Sequence, residues 1–161
     1  MKMTSSIKGL ITATIMIAIA LVTYYSGLPA NSPFQYMIYA VYAIGIIWTL
    51  IAYKNSTDFT DTFGAKFNQG FRCFIIVTLL MVAFTAIFSK IHPEFAEESA
   101  KFYKEEMILN AKDKTPAAID EDVARYKKGY TLALVYGSIF GYLIIGAVVT
   151  ALASILLTRR K

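Results

Sequence analysis

Residues 34–53 read FQYMIYAVYAIGIIWTLIAY. The isoleucines and tyrosines of this stretch suit a strand as well as a helix. A strand in a membrane barrel alternates lipid-facing apolar residues with polar ones. This run does not alternate; it is continuously apolar and carries no charge. A bilayer core about 30 Å thick is crossed by about 20 residues of helix. A lone strand could not satisfy its backbone there, whereas a helix bonds its own. The stretch therefore reads as a membrane-spanning helix. Tyr36, Tyr39 and Tyr53 near its ends suit headgroup level, while Tyr42 and Trp48 lie deeper.

The rest of the chain repeats this pattern. Over 161 residues the hydrophobic fraction is 57% and the mean hydropathy +0.52. No Asp, Glu, Lys or Arg occurs across residues 9–53, 73–89 or 129–158. A soluble protein of this size needs a charged surface and could not leave such runs bare. Four spans result, at about 9–26, 34–53, 71–89 and 130–158. Gly27, Pro29 and Pro33 end the first, in the connection GLPANSP. The fourth is longer than a bilayer needs, which implies tilt or protrusion. Lys2 and Lys8 before an apolar run could suggest a signal peptide. The run is long for one, and Leu28 stands where cleavage before residue 31 wants a small residue, so a retained span is expected.

Charge placement sets the expected orientation. The N-terminus, the 54–72 connection and the C-terminus hold eight basic residues against Asp58 and Asp61, a net +6. Residues 90–128 hold eight basic and nine acidic residues, a net −1. Positive charge gathers on the cytoplasmic side, so both termini are expected there, in a bacterial inner membrane. The same placement argues against nucleic-acid binding, because basic residues outside 90–128 sit at span ends and termini, with no aromatic-basic platform.

The segment 90–128 reads as an extracytoplasmic helical hairpin with arms at about 93–110 and 116–128. Pro93 after His92, and Thr115 before Pro116, are start signals. Ala96, Ala100, Tyr103 and Met107 follow a helical period, and Glu97, Lys101 and Glu105 can pair four apart. Residues 53–72, YKNSTDFTDTFGAKFNQGFR, carry phenylalanines at 59, 63, 67 and 71. On a helical wheel these share a broad face opposite Asp58, Asp61, Thr62, Lys66 and Gln69. The pattern predicts a cytoplasmic interfacial helix at about 58–70, capped by Ser56 or Thr57, aromatics toward lipid and polar residues toward the cytosol. Gly70 would supply a bend. The whole is an all-α integral membrane four-helix bundle forming one domain over 1–161.

The phrase FTDTFGAKFNQGF, the span after it, FSKIHPEFAEESAKFYKEEM and the closing TRRK together resemble domain-of-unknown-function family 4199, small four-span membrane proteins found mainly in Bacteroidetes. Phe63, Gly64, Phe67, Gly70, the Ile91-His92-Pro93 turn and the final basic cluster carry the likeness. Family members often have Asn where this chain has His92. The resemblance implies a four-helix membrane protein and no known activity, ligand or catalytic residue.

No catalytic, cofactor or metal site is assigned. His92 could bind a metal only with Glu94 and Glu97 or Glu98, and no HExxH or cysteine pairing supports it. Asp58 and Asp61 could form a carboxylate pair, but their place at a helix start explains them. Arg72 borders the bilayer and is expected to reach anionic headgroups. Cys73 is the only cysteine, so no intrachain disulfide forms. Span hydroxyls, from Thr12 to Ser154, can bond one turn back and form no evident ion path. Gly137 and Gly141, with Gly146, Ala147 and Ala151, offer a face for packing within the bundle or against a second copy.

The expected function is non-enzymatic: a structural or partner-binding inner-membrane protein acting through its outer hairpin. Membrane lipids and a homo-oligomer or envelope protein are the expected partners, with no cofactor. The alternative is a small transporter, channel or transport subunit. An enzyme acting on lipid-like substrates would want a nucleophile and base, which are missing from the sequence.

Overall fold

A computed structural model describes residues 3–27, 34–110 and 114–158. The connection at 28–33, the hairpin tip at 111–113 and the basic cluster at 159–161 lie outside the described residues. The chain is all-helical, with no strand among the described residues. Its elements are α1 (Ser5–Tyr25), α2 (Phe34–Lys54), α3 (Phe63–Ile91), α4 (Glu94–Asn110) and α5 (Pro116–Leu156). All but α4 are long and apolar enough to cross a membrane, the mark of a multi-pass membrane protein. At 41 residues, α5 is about 60 Å long, roughly twice a hydrocarbon core.

Local chemistry explains most boundaries. Thr4 caps α1 by accepting from the Ile7 N–H. Gly27 stops the helix in the left-handed region at φ 65°, which glycine alone adopts without Cβ strain. Thr115 caps α5 ahead of Pro116, accepting from Ala118 N–H at 3.4 Å.

The chain divides into two compact units, residues 1–82 with 139–161, and residues 83–138. The first unit is a four-helix bundle. Its core is Ala13 and Met16 from α1, Tyr42, Ile46 and Leu50 from α2, Cys73, Phe74, Val77 and Met81 from α3, and Ala153 from α5. Each set follows helical spacing, so each helix turns one stripe inward. The opposite faces stay apolar: Ile44, Ile47 and Ile51 of α2 and Ile144, Val148, Leu152 and Ile155 of α5 are exposed. In lipid that exposure costs nothing, and helices associate by close packing instead.

The helices meet where side chains are missing. A Cβ on Gly9 would stand 2.6 Å from the Cys73 carbonyl oxygen. The same test puts Gly45 against Thr12, Gly70 against Thr150, and Gly146 against Tyr42 and Phe74. These contacts close the bundle as a ring in the order α1, α2, α5, α3. The Tyr42 hydroxyl also donates to the Tyr142 carbonyl at 2.9 Å. Thr12, Thr14, Thr23 and Thr49 donate one turn back, as expected, whereas the buried hydroxyls of Thr150 and Ser154 have no partner among the described residues.

The segment before the third span differs from its wheel. Residues 55–62 are turns and irregular backbone, and helix begins only at Phe63. The expected interfacial helix is thus reduced to the first two turns of α3, which continue through Gly70 without a break. The cap is Thr62, which accepts from Ala65 N–H at 3.3 Å, not Ser56 or Thr57. Lys66, expected on the cytosolic face, is fully buried, and its ammonium pairs with Asp61 at 2.6 Å. The reason is register: Lys66 lies on the inward stripe of α3 with Gly70, Cys73, Phe74 and Val77. Phe63 and Phe71 do face outward, at 46% and 42% exposure.

In the second unit, α4 packs on the first part of α5, forming the expected hairpin. Its buried apolar residues are few among the described ones, Ala100 and Ile119. Tyr103 and Tyr126 stack across the arms at 4.5 Å and 8°.

Candidate functional site

The bundle carries a cleft of about 620 Å³ where α1 begins, α2 ends and α3 is in its third turn. Its lining includes Ser5, Ser6 and Lys8 from α1, Trp48 and Ala52 from α2, Asp58 from the following loop, and Gln69 and Arg72 from α3. The Ser5 hydroxyl donates to the Gln69 side-chain oxygen at 2.6 Å, tying α1 to α3. Tyr53 organises the adjacent loop: its hydroxyl accepts from Thr60 N–H at 3.0 Å, and its ring meets Phe59 at 5.4 Å.

The charges of this cleft are uneven. Lys8 is only 8% exposed. Among the described residues no carboxylate lies within ion-pair distance of it. Its ammonium sits 5.9 Å from the centre of the Trp48 ring, a weak partner for a cation. Arg72 is exposed and likewise has no ion pair among the described residues. Asp58 is the one carboxylate among the described lining residues.

The residues singled out from sequence are dispersed. Asp58 and Arg72 share the cleft. Asp61, expected with Asp58 at a helix start, is engaged by Lys66. Cys73 is buried, with its thiol 3.9 Å from the Gly45 carbonyl. In the second unit, His92 Nδ1 lies 2.6 Å from a Glu94 carboxylate oxygen, and its ring packs on Phe88 at 4.5 Å. Glu97 bonds Lys127. Among the described residues no three His, Cys, Asp or Glu side chains gather as a metal-ligand group. A Cβ on Gly137 or Gly141 meets nothing within 4 Å, so neither glycine packs against another helix among the described residues; Gly146 does.

Sequence reasoning missed the partnership of Lys8, Trp48 and Gln69 with Arg72. One signal was present: Lys8 and Arg72 are the last charges before the uncharged runs 9–53 and 73–89. Each marks a membrane border, but nothing local says that the two borders meet.

The hairpin is the second candidate surface. Lys104 bonds Asp120 at 2.5 Å, Lys127 bonds Glu97 at 2.9 Å, and Lys114 bonds Asp122 at 2.7 Å. The first two cross the arms, in place of the expected pairing along α4. The Lys127 ammonium, by its hydrogen bond and then its charge, lowers the Glu97 carboxyl from its ordinary 4.5. Lys114 does the same to Asp122. Outside this brace, Phe102 and Leu109 are 70% and 76% exposed. They are seven residues apart and so share one face of α4, with Glu98, Glu105 and Glu106 beside them.

No curated protein and no solved structure matches the chain. A family profile does, across residues 8–159, which takes in the bundle, the cleft and the hairpin. The chain belongs to that family, described as protein of unknown function DUF4199.

Proposed function

We propose that this is a non-enzymatic protein of the bacterial inner membrane, with both termini cytoplasmic, that binds another membrane or envelope protein through its hairpin. The observation that carries the reading is the braced hairpin with Phe102 and Leu109 exposed on one face. Ordering two helices by cross-arm charges and a tyrosine stack, then leaving large apolar side chains uncovered, suits a surface awaiting a partner. The partner would present apolar side chains with basic residues around them. A second copy is a poorer occupant, since self-pairing of this face would set Glu98, Glu105 and Glu106 against their own kind.

The test places a photo-crosslinking residue at Phe102 of the full chain in its native membrane. A discrete crosslink to one other protein, lost on Leu109→Glu, is expected. Crosslinking to lipid alone, or a product insensitive to Leu109→Glu, would overturn the reading. So would saturable flux by the purified protein in liposomes, which would establish the transporter alternative.

A further inference from the structure

We propose that the cleft between Lys8, Trp48 and Arg72 is a binding site for the phosphodiester of a membrane-lipid headgroup. Lys8 is only 8% exposed as a residue, and a cation on so largely covered a side chain gains from an anion or several acceptors. Among the described residues Lys8 faces the cleft with neither, its ammonium 5.9 Å from the centre of an aromatic ring. Arg72 adds a guanidinium to the same wall, whose planar fork matches phosphate oxygens. Among the described lining residues two cations, Lys8 and Arg72, stand against a single carboxylate, Asp58, a balance that favours an anion. Ser5 and Ser6, which open α1 and line the same wall, lie at a helix start, where first-turn N–H groups have no intrahelical acceptor.

Position argues for lipid over free phosphate. The contact of Gly9 with the Cys73 carbonyl sets α1 and α3 at one level. It therefore aligns Lys8 and Arg72, the residues just before those two. Uncharged helix begins immediately beyond both, so the pair stands where headgroup phosphates lie. Trp48 is 39% exposed, and its neighbours Ile44, Ile47 and Ile51 face outward on α2. An acyl chain could leave the cleft along that apolar face while the phosphate stays with the cations.

Trp48 is the only tryptophan in the chain, so the cleft contains its own reporter. The full chain in neutral detergent is titrated with short-chain phosphatidylglycerol, with dioctanoylglycerol, which lacks the phosphate, and with inorganic phosphate. A saturable change in Trp48 emission with phosphatidylglycerol is expected, at concentrations where the other two give none. Arg72→Gln and Lys8→Gln should weaken it about tenfold each, while Lys90→Gln leaves it unchanged. Arg72 is exposed, so its variant decides the matter even if Lys8→Gln does not fold. The proposal is overturned if emission does not saturate, if dioctanoylglycerol acts equally, if inorganic phosphate saturates at the same concentration, or if Lys90→Gln weakens binding as much as Arg72→Gln.

Discussion

In the bundle, helices meet where a side chain is absent; in the hairpin, they meet where opposite charges and two tyrosines are matched. Gly9 lies against the Cys73 backbone, and Gly45 against a threonine whose hydroxyl is already bonded. Residues 83–138 bury Ala100 and Ile119 and rely on Lys104–Asp120, Glu97–Lys127 and the Tyr103–Tyr126 stack. The difference follows from the solvent. Lipid offers no hydrophobic drive between helices, so contact distance matters most. Exposed charges in water attract weakly and are screened by salt.

The comparison is broken most severely by filling a glycine. Gly9→Leu should cost at least about 3 kcal/mol, the upper range for overpacking, because the obstacle is backbone and cannot swing aside. Thermal unfolding in detergent measures it. A loss below that of Tyr103→Ala would mean that α1 is loosely held. Next comes Asp61→Ala, which strands the buried Lys66 ammonium. About 2 kcal/mol is expected, discounted because Asp61 is 38% exposed. Lys66→Met should be close to neutral, and the contrast identifies burial of an unpaired charge as the cause.

Tyr103→Ala tests the hairpin and should cost about 1 kcal/mol, the value of an aromatic pair. Near-UV circular dichroism should lose the stack while the bundle's unfolding transition stays put. Gly137→Ala should act in the opposite direction from Gly9, stabilising by about 0.5 kcal/mol, since a Cβ there meets nothing and helix propensity improves. A destabilised or dissociated protein would instead show that this face meets a second copy.

The smallest effect is on pH. Glu97 and Asp122 are held below their ordinary 4.5 and 3.8. A depressed carboxylate contributes stability above its unfolded value and loses it as pH falls through the folded one. The hairpin should therefore loosen only under acid below those values, seen in the Tyr103–Tyr126 dichroism. Lys114, raised from 10.5 by its bond to Asp122, contributes below 10.5, and its share is lost as pH rises past the folded value. Glu97→Gln should remove part of the acid response without moving the bundle's transition.

Some of the molecule was legible from runs and caps. The uncharged stretches located all four spanning helices, Gly27 and Thr115 marked a stop and a start, and Thr12, Thr14, Thr23 and Thr49 bond one turn back as their chemistry dictates. These are local properties, decided within a turn or two of helix. The inward face of α3 was not legible, because a wheel ranks residues by polarity. Packing put Lys66 inside through the register that Gly70 and Cys73 impose. The pairing of Glu97 with Lys127 likewise competed with an equally good partner four residues away. Only the meeting of α1 with α3 brings Lys8, Trp48 and Arg72 to one cleft. By itself the sequence determined how much of the chain spans a membrane and where charge must stop. Which charges then face one another was decided by contacts between segments far apart in the chain, where close packing overrides local preference.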